Sequence, residues 1–324
     1  MARWTPDLPR FELLDGVSPL QRLARFSAAL GGGADVWIKR EDLLPLAFGG
    51  NKLRNLEFIV GAALADGADT LVTSGRRWSN HCRLTAAAGA KAGLDVHLVL
   101  TGPPIEPPGP NVRLDELLGA TVHVTATDER ADREALVERV GADLRAAGRR
   151  PHVVGVGGSG VTGVVGQVLA GIELAEQATE RGVDVRTIVL PTATGGTQAG
   201  LLAGLRLAGS SARVVGIAAA APAAELRPAV QRLVSELGAL TGSRVGPREI
   251  EIDDADLGAG YGRRTEAADD AQRLLARSEG ILVDPIYTAK ALAGLIRHVR
   301  DGSITGPVVF WHAGGTPGIF EPLD

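Results

Sequence analysis

Lys52 is the residue whose neighbours do most to change its chemistry. It follows Phe48-Gly49-Gly50-Asn51 and opens a stretch that reads as a helix. Ahead of it lie the strand-like run Val36-Trp37-Ile38 and the charged run Lys39-Arg40-Glu41-Asp42-Leu43. Paired glycines let the backbone turn tightly without a Cβ penalty. A helix start offers unpaired N–H groups and the positive end of the dipole. A lysine held there, partly desolvated, loses its proton more easily, and a neutral amine can form a Schiff base. Taken alone, Gly-Gly-Asn-Lys would more often be a solvated lysine on a surface helix. The other candidate groups decide between the two.

Two glycine loops could hold a phosphate. Gly158-Ser159-Gly160-Val161-Thr162-Gly163 has the dinucleotide spacing between a strand and a helix. That fingerprint also needs an acidic residue ending a second strand about 20 positions on. Here Glu173 and Glu176 fall inside a predicted helix, which favours tight helix–strand packing over nicotinamide binding. Thr194-Gly195-Gly196-Thr197 follows an apolar strand and opens a helix, so backbone N–H groups and two hydroxyls would converge on a dianion. No lysine follows its glycines, so it is not a Walker A loop. Ser79-Asn80-His81 lies between a strand and a helix, where a Ser/Asn pair is often only an N-cap. No nearby acid completes a hydrolase triad with Ser79. Tyr261 and Tyr287 are the two tyrosines of the chain. A buried structural role is the ordinary reading of each.

Together these motifs carry a resemblance. The pair KREDL…GGNKLR, then Ser79-Asn80-His81, Gly260-Tyr261-Gly262, the segment Asp284 to Lys290 and His312-Ala313-Gly314-Gly315-Thr316-Pro317-Gly318 resemble pyridoxal-phosphate enzymes of the tryptophan synthase β-like fold, fold type II. The branch they resemble is that of D-cysteine desulfhydrase and 1-aminocyclopropane-1-carboxylate (ACC) deaminase. The resemblance implies that Lys52 carries pyridoxal 5'-phosphate covalently and acts as catalytic base. It implies that Thr194, Gly195, Gly196 and Thr197 bind the phosphate, and that Asn80 contacts the ring hydroxyl. Ser79 and nearby N–H groups would take the substrate carboxylate, with His81, Trp78 and Thr316 close to the substrate. Tyr261 and Tyr287 would be catalytic, Tyr287 stacking on the ring. Thr288 stands beside the pyridine nitrogen where ACC deaminase-like sequences carry glutamate, and a neutral hydroxyl there favours the desulfhydrase side. The implied reaction is α,β-elimination on a small amino acid, giving pyruvate, ammonia and sulfide. Alternatives are ACC-type ring opening, β-replacement or racemisation with the same cofactor, and a non-catalytic nucleotide- or amino-acid-binding module. One departure stands out: where the family usually reads G-G-V-Q-S-N-H, this chain has Gly75-Arg76-Arg77-Trp78-Ser79-Asn80-His81. Arginines there could pair with an acidic side chain of the substrate or face solvent.

The elements that must position these groups follow from periodicity. Strands at 70–73, 96–100, 122–124, 152–156, 187–190 and 214–217 alternate with helices at 52–65, 80–92, 111–118, 132–147, 164–181 and 196–207, with a Pro-rich turn at 102–110. Such alternation, with apolar strand runs, predicts an α/β fold with a parallel sheet covered on both faces. Ser18 reads as the cap of a short helical arm through Leu20, Leu23 and Phe26, and the alanine run 218–224 as a helix start. The resemblance implies two doubly wound α/β domains with the cofactor cleft between them: a large one of residues 1–54 plus 164–324 and a small one of residues 55–163.

Composition bounds the rest. The chain has 324 residues, 45% of them hydrophobic and 22% charged, enough for a large buried core. A net charge of −4 gives no basic surface for nucleic acid. Cys82 is the single cysteine, so there is no intrachain disulfide and no cysteine-built zinc site, and no metal is expected. Residues 1–10 lack an apolar signal core and no run of about 18 apolar residues occurs, so a cytoplasmic chain without a membrane span is expected. A homodimer is what the resemblance implies.

Overall fold

The computed structural model describes residues 4–102, 105–126 and 129–323. The first three residues of the N-terminal segment and two prolines of the 102–110 turn therefore lie outside the described residues. In chain order the elements are β1 (Leu20–Arg22), α1 (Ala24–Ala29), β2 (Ala34–Arg40), α2 (Lys52–Ala65), β3 (Thr70–Arg76), α3 (Asn80–Ala92), β4 (Asp95–Thr101), α4 (Pro110–Leu117), β5 (Thr121–Thr125), α5 (Arg130–Ala146) and β6 (Pro151–Val153). They continue as α6 (Val161–Glu180), β7 (Thr187–Thr192), α7 (Gly196–Leu207), β8 (Arg213–Ala218), α8 (Ala223–Thr241), β9 (Glu251–Asp253), α9 (Glu266–Glu279), α10 (Thr288–Arg300) and β10 (Gly306–His312).

Among the described residues the strands form two sheets, ordered β1-β2-β10-β7-β8-β9 and β5-β4-β3-β6. All pairings are parallel except β1 on β2, an antiparallel edge. Parallel strands need cover on both faces, which is why Ile188, Val189 and Leu190 are all buried in succession. Residues of α6, α7 and α8 pack one side of the six-stranded sheet, and residues of α1, α9 and α10 the other. The four-stranded sheet is sandwiched by α2 and α3 on one face and by Val137 and Val140 of α5 on the other.

The antiparallel edge corrects the expected helical arm. Leu20 pairs with Lys39, and the helix starts only at Ala24. Ser18 does not cap it: its hydroxyl donates to Glu41 at 2.5 Å. The pull of a buried carboxylate outweighs the weak preference of a serine for a six-residue helix. The alanine run does both jobs, ending β8 at Ala218 and opening α8 at Ala223.

Helix α2 joins the two sheets, since it packs on α3 and also on α6. The α2–α6 crossing is close enough that a Cβ on Gly166 would lie 1.9 Å from the carbonyl oxygen of Arg54. Backbone cannot yield as a side-chain tip can. Gly166→Ala is therefore expected to cost about 3 kcal/mol. That should lower the melting temperature by roughly 5–10 °C in a thermal scan.

Candidate active site

The cleft lies where the carboxyl ends of β3 and β7 meet the starts of α2, α3 and α7. That is the usual place for a ligand in a parallel α/β sheet. Lys52 is the first residue of α2. The approach to it is a run of positive φ angles through Leu46, Ala47, Phe48, Gly49 and Gly50. Three of these carry side chains, in a region that costs an L-residue roughly 1–2 kcal/mol. The glycines are required. A Cβ on Gly49 would sit 2.4 Å from the Asp42 carbonyl oxygen. The turn is anchored at its end by Asn51, whose N–H donates to the Ala313 carbonyl at 3.0 Å.

Lys52 Nζ donates to the Gly157 carbonyl at 2.7 Å and faces the cleft. Burial lowers its pKa to about 8. The cofactor-free protein should therefore capture pyridoxal phosphate slowly at pH 6 and faster as pH rises, with a midpoint near pH 8. Above that value the amine is neutral and nucleophilic. Stopped-flow absorbance against pH checks this, and a flat profile would contradict it.

Ser79 caps α3, its Oγ accepting the Cys82 N–H at 3.2 Å, so its own hydrogen is left for another partner. Gly75 must be glycine here, because a Cβ would come within 2.6 Å of Ser79 Oγ. Asn80 is held through Oδ1, which accepts from Arg83 Nη1 at 2.6 Å. His81 is buried, with Nε2 2.9 Å from Thr73 Oγ1. Thr73 gives its hydrogen to the Val154 carbonyl, so His81 Nε2 must be the donor. That leaves Nδ1 an acceptor, buried and with no hydrogen-bond partner among the described residues. Burial first, then the charge of Lys52, pushes the His81 pKa to about 3. His81 is thus a neutral acceptor at any working pH.

The loop before α7 brings a second set of groups. Gly195 is left-handed at φ 83°. The helix start has no side-chain cap, so its N–H groups remain to be satisfied. Thr194 Oγ1 and Ser159 Oγ are 2.5 Å apart, and Asn51 donates to Thr197 Oγ1 at 2.8 Å. A Cβ on Gly196 would lie 2.9 Å from Ser159 Oγ, which shows how closely the two loops approach. This donor set can hold a dianionic phosphate.

Across the cleft the hydroxyls of Tyr261 and Tyr287 are hydrogen-bonded to each other. Burial is the chief reason both phenol pKa values are raised, so both stay protonated. Thr288 opens α10 with its hydroxyl 2.5 Å from Asp284 Oδ2. The same carboxylate accepts the N–H groups of Ile286, Tyr287 and Thr288.

One cleft thus brings together Lys52, Ser79, Asn80, His81, Thr194 to Thr197, Tyr261, Tyr287 and Thr288. Trp78 is not on its wall. Its ring stands edge-on to Tyr261, centroids 5.6 Å apart, and supports that tyrosine from behind. Thr316 lies on a separate surface groove with Phe48, Leu117 and Phe320. Sequence reasoning gave no role to Gly157, Arg133 or Asp284, which line the cleft, or to Ser159, which meets Thr194, although the glycine loop and the segment from Asp284 were in view.

Two largely parallel α/β sheets, a desolvated lysine at a helix start and a glycine–threonine turn able to hold a phosphate are the features of a fold type II, pyridoxal-phosphate-dependent enzyme. The sequence profile of the family described as pyridoxal-phosphate dependent enzyme matches residues 11–314, and the chain belongs to that family. It is 38% identical over 320 residues to the D-cysteine desulfhydrase of Yersinia enterocolitica serotype O:8 / biotype 1B, covering 96% of this chain and 95% of the relative. It is 37% identical over 323 residues to the D-cysteine desulfhydrase of Salmonella newport (strain SL254), with the same coverage. A solved structure of an ACC deaminase homologue aligns with a TM-score of 0.90 at 36% identity, covering 97% of this chain and 94% of that one. A solved threonine deaminase from T.th. shares the fold, with a TM-score of 0.70 at 20% identity and 92% of each chain covered.

Proposed function

We propose that the chain catalyses α,β-elimination on a small amino acid, D-cysteine being the substrate its relatives suggest, with pyruvate, ammonia and sulfide as products. The observation that carries this reading is the Lys52 amine, desolvated at the start of α2 and lining the same cleft as the paired hydroxyls of Tyr261 and Tyr287. Bound pyridoxal phosphate supplies an electron sink for the pair left when the substrate Cα–H bond breaks. Thr194, Gly195, Gly196, Thr197 and Ser159 would hold its phosphate at the start of α7, and Asn80, Tyr287 and Thr288 would hold its ring. Ser79, with its free hydrogen, and the first N–H groups of α3 bind the substrate carboxylate. His81 Nδ1 accepts a hydrogen bond from the bound substrate.

Lys52 takes the Cα proton, as a neutral amine can and an ammonium cannot. In the tyrosine pair one hydroxyl donates to the other, so the second hydrogen is free to point into the cleft. That proton goes to the departing sulfur. Trp78 fixes Tyr261 rather than touching substrate, and Thr316 lies outside the cleft.

The substrate lies between two lobes, residues 1–54 with 164–324 and residues 55–163. The same reading makes the protein a cytoplasmic homodimer. Among the described residues no helix is long and apolar enough to cross a membrane.

The test is pyruvate release from D-cysteine, L-cysteine, D-serine and ACC by protein loaded with pyridoxal phosphate. Pyruvate and sulfide from D-cysteine are expected. The similarity to an ACC deaminase homologue favours ring opening as the second reading, and 2-oxobutyrate from ACC with no pyruvate from D-cysteine would replace the first with it.

A further inference from the structure

Arg83, at the end of the first turn of α3, is fully buried, yet no carboxylate accepts a hydrogen bond from it among the described residues. Its partners are neutral oxygens. Nη1 donates to Asn80 Oδ1 at 2.6 Å and to Asn111 Oδ1 at 2.7 Å. Nε donates to the Ala47 carbonyl at 3.0 Å and Nη2 to that of Gly49 at 3.1 Å. Burial brings its pKa down to about 10 against the charges of Asp115 and Asp284, so it stays a cation at neutral pH. A buried guanidinium held without a bonded carboxylate is costly to the fold. A guanidinium only donates. The atom that Asn80 turns toward Arg83 must therefore be its oxygen, which leaves the amide nitrogen on the other side. Asn111 is fixed in the same sense, its Nδ2 donating to the Trp78 carbonyl at 2.8 Å. Asn80 Nδ2 donates to no protein group among the described residues, and Asn80 lines the cleft with Lys52. Gly315 keeps that nitrogen clear, since a Cβ there would stand 2.9 Å from it. The other side of the guanidinium grips the turn of positive φ angles that ends at Lys52. One side chain thus joins the delivery of Lys52 to the orientation of Asn80.

We propose that Arg83 is a positioning residue, which fixes Asn80 as a hydrogen-bond donor to the ring oxygen of the cofactor and holds that donor in register with Lys52. This rests on the functional reading above, in which Lys52 captures the aldehyde of pyridoxal phosphate. The ring oxygen stands on the carbon next to the one that bears the aldehyde, so the two contacts have to be matched. Without Arg83 the Asn80 amide is free to turn over, and its oxygen would then meet the ring oxygen, acceptor against acceptor. A cation behind Oδ1 also polarises the amide, which strengthens its N–H as a donor in a site of low dielectric. Arg83 itself touches neither cofactor nor substrate and acts through Asn80.

The probes are pyridoxal phosphate and its deoxy analogue, which keeps the aldehyde and the phosphate but lacks the ring oxygen. Their relative affinity for the full-length chain is measured by competition. Wild type is expected to prefer pyridoxal phosphate by at least about tenfold, the scale of a hydrogen bond to a charged oxygen. Arg83→Gln should bring the two to near parity, and Arg83→Lys, which keeps the charge but not the fork, should reduce the preference by less. In an Asn80→Ala background neither Arg83 substitution should alter the preference further, because the two residues act as one unit. Asn80→Asp keeps a partner for Arg83, and so decides the matter even where Arg83→Gln does not fold. Its second oxygen would face the ring oxygen, and the preference should invert. If Arg83→Gln weakens both aldehydes equally, or Asn80→Asp keeps the wild-type preference, the proposal is overturned. Pyruvate from D-cysteine in that case leaves the elimination reading standing. If neither aldehyde is captured at Lys52, that reading falls and takes the proposal with it.

Discussion

Lys52→Ala should lower turnover by at least about 10³-fold, the scale on which removal of a positioned base acts, and should abolish covalent capture of the cofactor. Borohydride reduction of the loaded wild-type protein, then digestion and mass spectrometry, should place the pyridoxyl group on the peptide carrying Lys52. The variant should carry none. Lys290 makes the experiment discriminating. It too is buried, and burial likewise lowers its pKa to about 8. A lowered pKa alone therefore does not choose between the two lysines. Geometry does: Lys290 Nζ donates to the carbonyls of Leu257 at 2.7 Å and Gly260 at 2.9 Å, and so braces the loop that carries Tyr261. Lys52 Nζ has a single carbonyl partner and faces the cavity. A pyridoxyl group found on Lys290, or a Lys52→Ala variant with normal turnover, would remove the assignment.

How far the chain could be read without coordinates depended on how local each signal was. Helix α2 starts at Lys52 because glycines, then a lysine, then an apolar-faced run are all within a few residues. Ser79 caps α3 for the same reason: a serine between an apolar strand and an alanine-rich stretch has one structural use. The strand–helix alternation needs only periodicity, and it recovers the four strands of the smaller sheet and β2, β7 and β8 of the larger one, but not β1, β9 or β10. The short arm failed because its outcome was decided from far away, by Glu41 and Glu173 acting on Ser18. The glycine loop at 157–163 was legible as tight packing, and a Cβ on Gly163 would indeed meet the Gly158 carbonyl at 2.6 Å. Its second role, placing Gly157 O on Lys52 and Ser159 on Thr194, joins residues 105 and 35 positions apart. No local pattern carries that. Trp78 is the mirror case. Adjacency to Ser79 suggested the pocket, but successive residues at a strand–helix turn point different ways, and its ring packs behind Tyr261.

The run Lys39 to Leu43 has its own consequence, and it leads to the second large effect. Lys39 Nζ donates to Glu173 Oε1 at 2.5 Å, to Gln177 at 2.6 Å and to the Ser18 carbonyl at 2.7 Å. Arg54, two residues after Lys52, forks onto Glu41 at 2.6 and 2.8 Å and reaches Glu173 Oε2 at 2.9 Å. Two cations and two carboxylates therefore balance inside the protein, tying β2, α2 and α6 together. Glu173→Ala would leave Lys39 and Arg54 sharing one carboxylate in a buried site. Breaking such a cluster from one side costs about 3–5 kcal/mol, because the stranded charge keeps its desolvation penalty. Glu173→Gln, which keeps shape and a hydrogen-bond acceptor, should cost less. Burial works against the Glu173 carboxylate, but the charges and hydrogen bonds of Arg54 and Lys39 outweigh it and hold its pKa below the ordinary value. Its stabilising effect is therefore complete above the ordinary glutamate range and is lost as pH falls through the lowered folded value. Thermal scans should show the gap between wild type and Glu173→Ala narrowing on acidification. A gap that stays constant or widens toward low pH would mean that the cluster does not hold the β2 end and α2 in register. Because Arg54 sits on the first turn of α2 with Lys52, the same variant should also bind pyridoxal phosphate more weakly. A merely peripheral ion pair would leave that affinity where it was.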